Sequence, residues 1–216
     1  MRKTLFIAMS LFLSFAYGQE KENSFTIPKK TWYVNGSVSL SNQSMKNATI
    51  NSETNLSTYS FSPTIGYTIS NNLVLGLGLG YTYNSYESLA PPTSSAVSFK
   101  SNFGNFQIFP YIKKYFAVGS KLALSLQGEA RYSNGENLIQ HINGPGTTDY
   151  ENYFIGIRPG ITFTLNKNFA LEANIGSLGY SYSSSTNNFY SYKTTTSRFN
   201  LDLSTSNIFF GLAIFI

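Results

Sequence analysis

The stretch FSPTIGYTISNNLVLGLGLGYTY, Phe61 to Tyr83, decides the fold because the chain says the same thing three times. It returns as IFPYIKKYFAVGSKLALSLQGEARY, Ile108 to Tyr132, and as IRPGITFTLNKNFALEANIGSLGYSY, Ile157 to Tyr182. Each copy runs proline, one residue, isoleucine and then an aromatic, followed by a short polar turn and a strand that alternates large apolar with small or polar residues. That is a repeated β-hairpin. Three hairpins, with one strand before them (Thr31 to Ser41) and one after (Arg198 to Ile216), give eight strands. The expectation is an all-β, eight-stranded antiparallel up-and-down transmembrane barrel.

The faces of these strands differ sharply. Successive side chains of a strand point to opposite sides. In the first hairpin Phe61, Ile65, Tyr67, Leu75, Leu77, Leu79, Tyr81 and Tyr83 therefore share one face, and Ser62, Thr64, Gly66, Gly76, Gly78 and Gly80 the other. In the third copy the parity slips at Gly176-Ser177, after which Leu178, Tyr180 and Tyr182 carry the apolar phase; a β-bulge there accounts for the slip. Glycines, serines and threonines suit a crowded barrel interior, whereas the outer face of a water-soluble barrel would carry many Lys and Glu. Charged residues are only 12% of the 216, about half of what a soluble domain carries, and aromatics are 16%. The apolar face thus points to lipid.

The connections agree. Short links at Ser70 to Asn72, Tyr115 to Lys121 and Asn166 to Asn168 alternate with long polar stretches at Asn42 to Asn55, Asn84 to Ser101, Ser133 to Glu151 and Ser183 to Thr196. Short periplasmic turns and long extracellular loops are the outer-membrane pattern. Two aromatic belts fit the same orientation: Trp32, Tyr67 and Phe163 towards the short turns, and Tyr81, Tyr83, Tyr132, Tyr153, Tyr180 and Tyr182 towards the loops. Pro63, Pro110 and Pro159 each remove a ladder donor, at equivalent places in the three copies.

Residues 1–18 read as a secretory signal peptide. Arg2 and Lys3 form its basic start, Leu5 to Phe15 its apolar core, and Ala16 and Gly18 its small residues before Gln19. Residues 19–30 are a polar periplasmic lead, and 31–216 the barrel. After the apolar core, no run approaches the ~20 residues of a membrane-spanning helix. The chain has no cysteine, which excludes disulfides, thiol catalysis and Cys-based metal sites. Its net charge of +5 falls by two with the signal peptide, and no basic run suggests nucleic acid.

The P-x-I-G-Y hairpin, the aromatic near-terminal strand and the signal peptide resemble the small outer-membrane β-barrel proteins, the group of OmpX- and OmpA-type barrels abundant in Bacteroidetes, over Thr31 to Ile216. The resemblance implies a bacterial outer-membrane location, contact with membrane lipid and lipopolysaccharide, and insertion by the outer-membrane assembly machinery. That machinery reads a terminal aromatic signal, here carried by Phe210, Phe215 and Ile216 in place of a final Phe. It fixes architecture and leaves activity open.

Four charges belong to the polar face: Glu129, Arg131, Arg158 and Glu172 are expected to form an interior ion-pair cluster. Such a cluster serves as a gate or as a packed plug, and an eight-stranded barrel is just wide enough to be filled by side chains. Lys29, Lys30, Lys113, Lys114, Lys121 and Lys167 fall at the short-turn end, where they meet anionic headgroups or solvent. His141, the single histidine, lies in a long loop near Ser133, Asp149 and Glu151 and carries the only hint of an enzyme, such as a lipid A-modifying one. The string Gly76-Leu77-Gly78-Leu79-Gly80 sits inside a strand, so it is no nucleotide loop. The expectation is a monomeric, non-enzymatic surface barrel without cofactor or metal, structural or adhesive through its loops. A narrow porin-like channel or solute carrier is the alternative, and an enzyme the remoter one.

Overall fold

The computed structural model describes residues 24–47, 52–89, 99–141, 144–188, 191–202 and 208–216. The signal peptide lies outside the described residues, as does the side chain of His141. Ten strands form one antiparallel sheet: β1 Trp32–Asn47, β2 Ser52–Ser70, β3 Leu73–Leu89, β4 Phe99–Ala117, β5 Leu122–His141, β6 Gly144–Thr164, β7 Phe169–Ile175, β8 Ser177–Asn187, β9 Tyr192–Asp202 and β10 Ile208–Phe215. Neighbours in sequence pair from β1 to β7, β7 pairs with β10, and β10 returns to β1. The result is a closed ring of eight strands, sealed where Tyr33–Val38 meets Phe210–Phe215.

The remaining two strands branch from the ring at Gly176, whose φ of 64° separates β7 from β8. β6 pairs with β7 through Gly160–Thr164 and with β8 through Thr148–Ile157, and the register shifts by one across the break. This is the bulge to which the parity slip points. β9 then pairs with β8. The single closing strand expected over Arg198 to Ile216 is thus two strands with different neighbours, because the extra residue at Gly176 re-aims everything that follows it. The sequence of the last stretch also suggests a second bulge, near Ser204 to Ser206, and those residues lie outside the described ones.

The long loops are a second correction. β1 and β2 stay paired out to Asn47↔Ser52, β3 and β4 to Ser88↔Phe99, β5 and β6 to His141↔Gly144, and β8 and β9 to Asn187↔Tyr192. Most of three of these polar stretches is strand, and so is half of Asn84 to Ser101. Beyond the apolar band both faces of the wall are polar, so alternation disappears from the sequence while Thr-, Ser- and Tyr-rich pairing persists.

Each repeated proline opens the ladder inside its own hairpin. Pro63 keeps its partner on β1 and Pro110 its partner on β3, yet β2–β3 pairing skips from Phe61↔Tyr81 to Thr64↔Gly78, and β4–β5 pairing skips from Ile108↔Tyr132 to Tyr111↔Glu129. Pro159 pairs with Leu126 and faces the β7/β8 break. A residue without an N–H can serve one neighbour and must leave the other.

Val34, Ile65, Leu75, Leu77, Ile112, Ile157, Leu171 and Leu212 are exposed on the outside of the ring, while Tyr33, Phe109, Tyr111, Tyr115 and Phe215 are buried inside it. The glycines of the first hairpin make room for aromatics from β4. Gly78 faces the Phe109 ring, and a Cβ on Gly66 would come within 2.8 Å of the Tyr111 hydroxyl.

Candidate functional site

Alternation puts the odd residues of β4 and β5 and the even residues of β6 and β7 inside the ring, and the charged ones among them sort into two groups. Nearer the short turns, Glu172 of β7 accepts five hydrogen bonds. The Lys113 ammonium reaches its Oε2 at 2.6 Å, the Tyr33 hydroxyl at 2.6 Å and the Asn35 amide at 3.0 Å; the Tyr115 hydroxyl and the Thr162 hydroxyl reach Oε1 at 2.7 and 3.4 Å. Lys113 also sits 5.4 Å from the centres of the Tyr33 and Tyr115 rings. Both charged side chains are 2% exposed. A carboxylate and an ammonium so far from water persist only because they are paired and hydrogen-bonded further, the ammonium also donating to the Tyr33 hydroxyl at 3.2 Å.

Higher in the ring, Glu129 of β5 binds Arg131 at 2.6 Å and Arg158 of β6 at 3.2 Å through Oε1, and the Gln127 amide at 2.7 Å through Oε2. The Arg131 guanidinium donates to Gln107 at 2.8 Å and lies 4.5 Å from the centre of the Phe109 ring. Of the four residues grouped from the sequence, the structure brings Glu129, Arg131 and Arg158 together and places Glu172 in the other group. Between the two groups is a cavity of about 30 Å³, touched by Tyr33, Asn35, Lys113, Gln127, Arg131 and Asn174. That is room for a water molecule and not for a hydrated ion.

Sequence reasoning misses the partners of Glu172. Lys113, expected among the turn lysines beside Lys114, is instead buried, whereas Lys114 is part-exposed and donates to the Asn71 carbonyl at 3.2 Å. Its parity with Phe109, Tyr111 and Tyr115 is the signal that points inward. The lead also takes part in the architecture. Phe25 and Ile27 are each 3% exposed under the short-turn end, held by Phe25 N–H to the Gly119 carbonyl at 2.9 Å, Ile27 N–H to Asn72 Oδ1 at 2.7 Å and Asn72 N–H to the Ile27 carbonyl at 3.0 Å. The Phe25 ring lies 5.7 Å from that of Tyr115, so the lead caps the Glu172 group.

The belt residues lie on the outside. Trp32, Tyr81, Tyr153, Phe163, Tyr180 and Tyr182 are exposed, and Tyr67, Tyr83 and Tyr132 half-buried. Trp32 and Tyr67 meet edge to face at 5.2 Å, and Tyr132 and Tyr153 lie 5.1 Å apart. In the terminal strand Phe210 and Ile216 face outward, while Phe215 turns inward and lies 5.6 Å from the Tyr33 ring. Among the described residues there is no group of three or more His, Asp or Glu placed to hold a metal ion.

No family model matches the chain, and no curated protein matches it. Solved structures similar in chain path include the following two. One is a major outer membrane protein from Thermus thermophilus, with 9% identity and a TM-score of 0.47, covering 86% of this chain and 99% of that one. The other is Neisserial surface protein A, with 14% identity and a TM-score of 0.37, covering 88% of this chain and 98% of that one. Similarity at this level is too loose to carry a function.

Proposed function

We propose that the chain is an integral β-barrel of a bacterial outer membrane, without enzymatic activity, whose interior is a side-chain plug and whose upper wall and connections make contacts at the cell surface. The observation that carries this reading is the inversion of the molecule: apolar side chains stand on the outside while Glu172, Lys113 and Glu129 are buried within. An apolar side chain of this size left in water forgoes roughly 1.5–3 kcal/mol. A ring studded with them is stable only where lipid replaces water, and a closed ring leaves no unpaired edge to that lipid at the height of closure. The plug follows from the Glu172 group, its Phe25 and Phe215 cover, and the small cavity above it. Affinity with the OmpX- and OmpA-type barrels is part of the proposal, supported by the thrice-repeated hairpin and the ring of eight.

Fractionation of cells expressing the full chain tests the location. The protein should sediment with outer membranes, resist carbonate extraction, and migrate differently on gels before and after boiling. Recovery in the periplasmic soluble fraction overturns the reading. In planar bilayers the purified barrel should give no stable conductance steps; regular steps lost in Lys113→Met would make it a channel instead.

A further inference from the structure

Above the Glu129 group, on its side away from the short turns, the barrel holds a cup of about 350 Å³ that neither the membrane wall nor the plug accounts for. Its walls come from β4, β5, β6 and β8, and β8 reaches it only because the Gly176 bulge sends that strand up beside β6. Bulges commonly re-aim side chains at functional sites. The volume falls within the roughly 300–1,000 Å³ of small-molecule sites.

The lining is polar below and aromatic at the side. Arg131 and Gln107 form part of the floor, with Ser133 buried beside them and Asn152 accepting from the Ser183 hydroxyl at 2.8 Å. Phe103 and Tyr150 meet edge to face at 5.2 Å, and Phe154 adds a third ring. Arg131 and Arg158, both paired with Glu129, also line the cup, as does Glu151. Two guanidiniums set against two carboxylates leave no net charge, so the lining favours neither an anion nor a cation. The amides of Asn105, Gln107 and Asn152 and the Ser183 hydroxyl offer donors and acceptors together. A hydroxyl group both accepts and donates, so a molecule bearing several of them answers both. The aromatic rings suit the C–H faces that such a molecule presents between its hydroxyls.

We infer that this cup is a binding site for an uncharged, polyhydroxylated ligand of saccharide type. The inference deepens the proposed surface role and rests on it for the side to which the cup opens; the binding itself does not depend on that. Arg131 is held in place by Glu129 and Gln107, so the floor is set before a ligand enters, and Phe103 and Tyr150 present the apolar contact.

The test uses the mature barrel in a detergent without a sugar headgroup, with glucose and maltose as neutral probes and glucuronate and glucosamine as charged ones, read by saturation-transfer NMR and titration. The neutral probes should show transfer from aromatic protons, and Asn105→Leu should raise their Kd about tenfold or more, the worth of one lost hydrogen bond with its partner left buried. Phe103→Ala, checked by its gel shift on boiling, serves as a second variant should Asn105→Leu fail to fold, and should also weaken binding. Absence of transfer from both neutral probes overturns the inference. So do unchanged affinity in the variants, or equal or tighter binding of the charged probes. Because the assay is run in micelles, sugar binding by a protein that fails the fractionation test would leave the cup standing and remove the outer-membrane location.

Discussion

Glu172 and Glu129 are both interior carboxylates, and their surroundings assign them different work. Glu172 has five donors, is covered on its short-turn side by the Phe25 and Phe215 rings packed on Tyr115 and Tyr33, and takes its cation from β4 across the barrel lumen. Glu129 has three donors, takes one cation from its own strand and one from the next, and holds the two arginines that line the cup. The lower group is a lock across the barrel, and the upper group is a floor. A lock must be complete, since a single buried charge without its partner is costly. A floor beside a cavity can recruit water when one member is lost.

The largest expected effect follows from breaking the lock. Lys113→Met strands Glu172 in the dry end and should lower stability by about 3–5 kcal/mol. Urea titration of the folded fraction in detergent measures it, and adding Glu172→Gln to that variant should restore much of the loss. If the double variant is no better than the single, the pair is not the lock described here.

Next comes the cap. Phe25→Ala removes the ring from the Tyr115 face and should cost about 2–4 kcal/mol, at the lower end of buried aromatic truncations because the mouth can partly close. Accelerated hydrogen exchange at the short-turn end, with the cup end unchanged, would sharpen the division between the two regions. Equal acceleration at both ends would erase it.

A smaller change probes the floor. Glu129→Gln leaves Arg131 its bond to Gln107 and its ring contact with Phe109, so the expected cost is about 1–3 kcal/mol, less than that of Lys113→Met in the same titration. A reversed order would make the upper group the lock. On the wall between them, Gly78→Val drives a side chain into the Phe109 ring and should cost about 1–3 kcal/mol by overpacking, while Gly119→Val, where an added Cβ meets nothing within 4 Å, should be close to neutral on that score.

Much of the ring was legible because lipid and interior impose opposite demands on alternate residues. Ile65, Leu75 and Leu77 against Thr64, Gly66 and Gly76 give the period, the faces and the neighbouring strand positions, and Gly176 reveals itself by reversing the phase. The same logic fails where both faces meet one solvent. Residues 84–89 and 133–141 read as loop because a paired polar wall has no phase to display. Glu129, Arg131 and Arg158 share a face in the sequence, but parity cannot say across which part of the lumen a long side chain reaches, and so Lys113 reads as one more turn lysine. Phe25 and Ile27 do carry a trace, two apolar residues alternating within a polar lead, too short to distinguish from chance.

The central claim is that the two faces of each hairpin meet two different solvents. The chain has no cysteine, so single nitroxide labels can be placed without background. Labels at Leu75, Leu77, Ile112 and Ile157 in the barrel reconstituted in liposomes, compared with labels at Thr64 and Gln127, should collide freely with dissolved oxygen and scarcely with a water-soluble nickel chelate, whereas the inward pair should be shielded from both. Nickel access at Leu77 and Ile112 equal to that of a label in free solution would contradict the account, because a wall wetted there cannot be facing lipid.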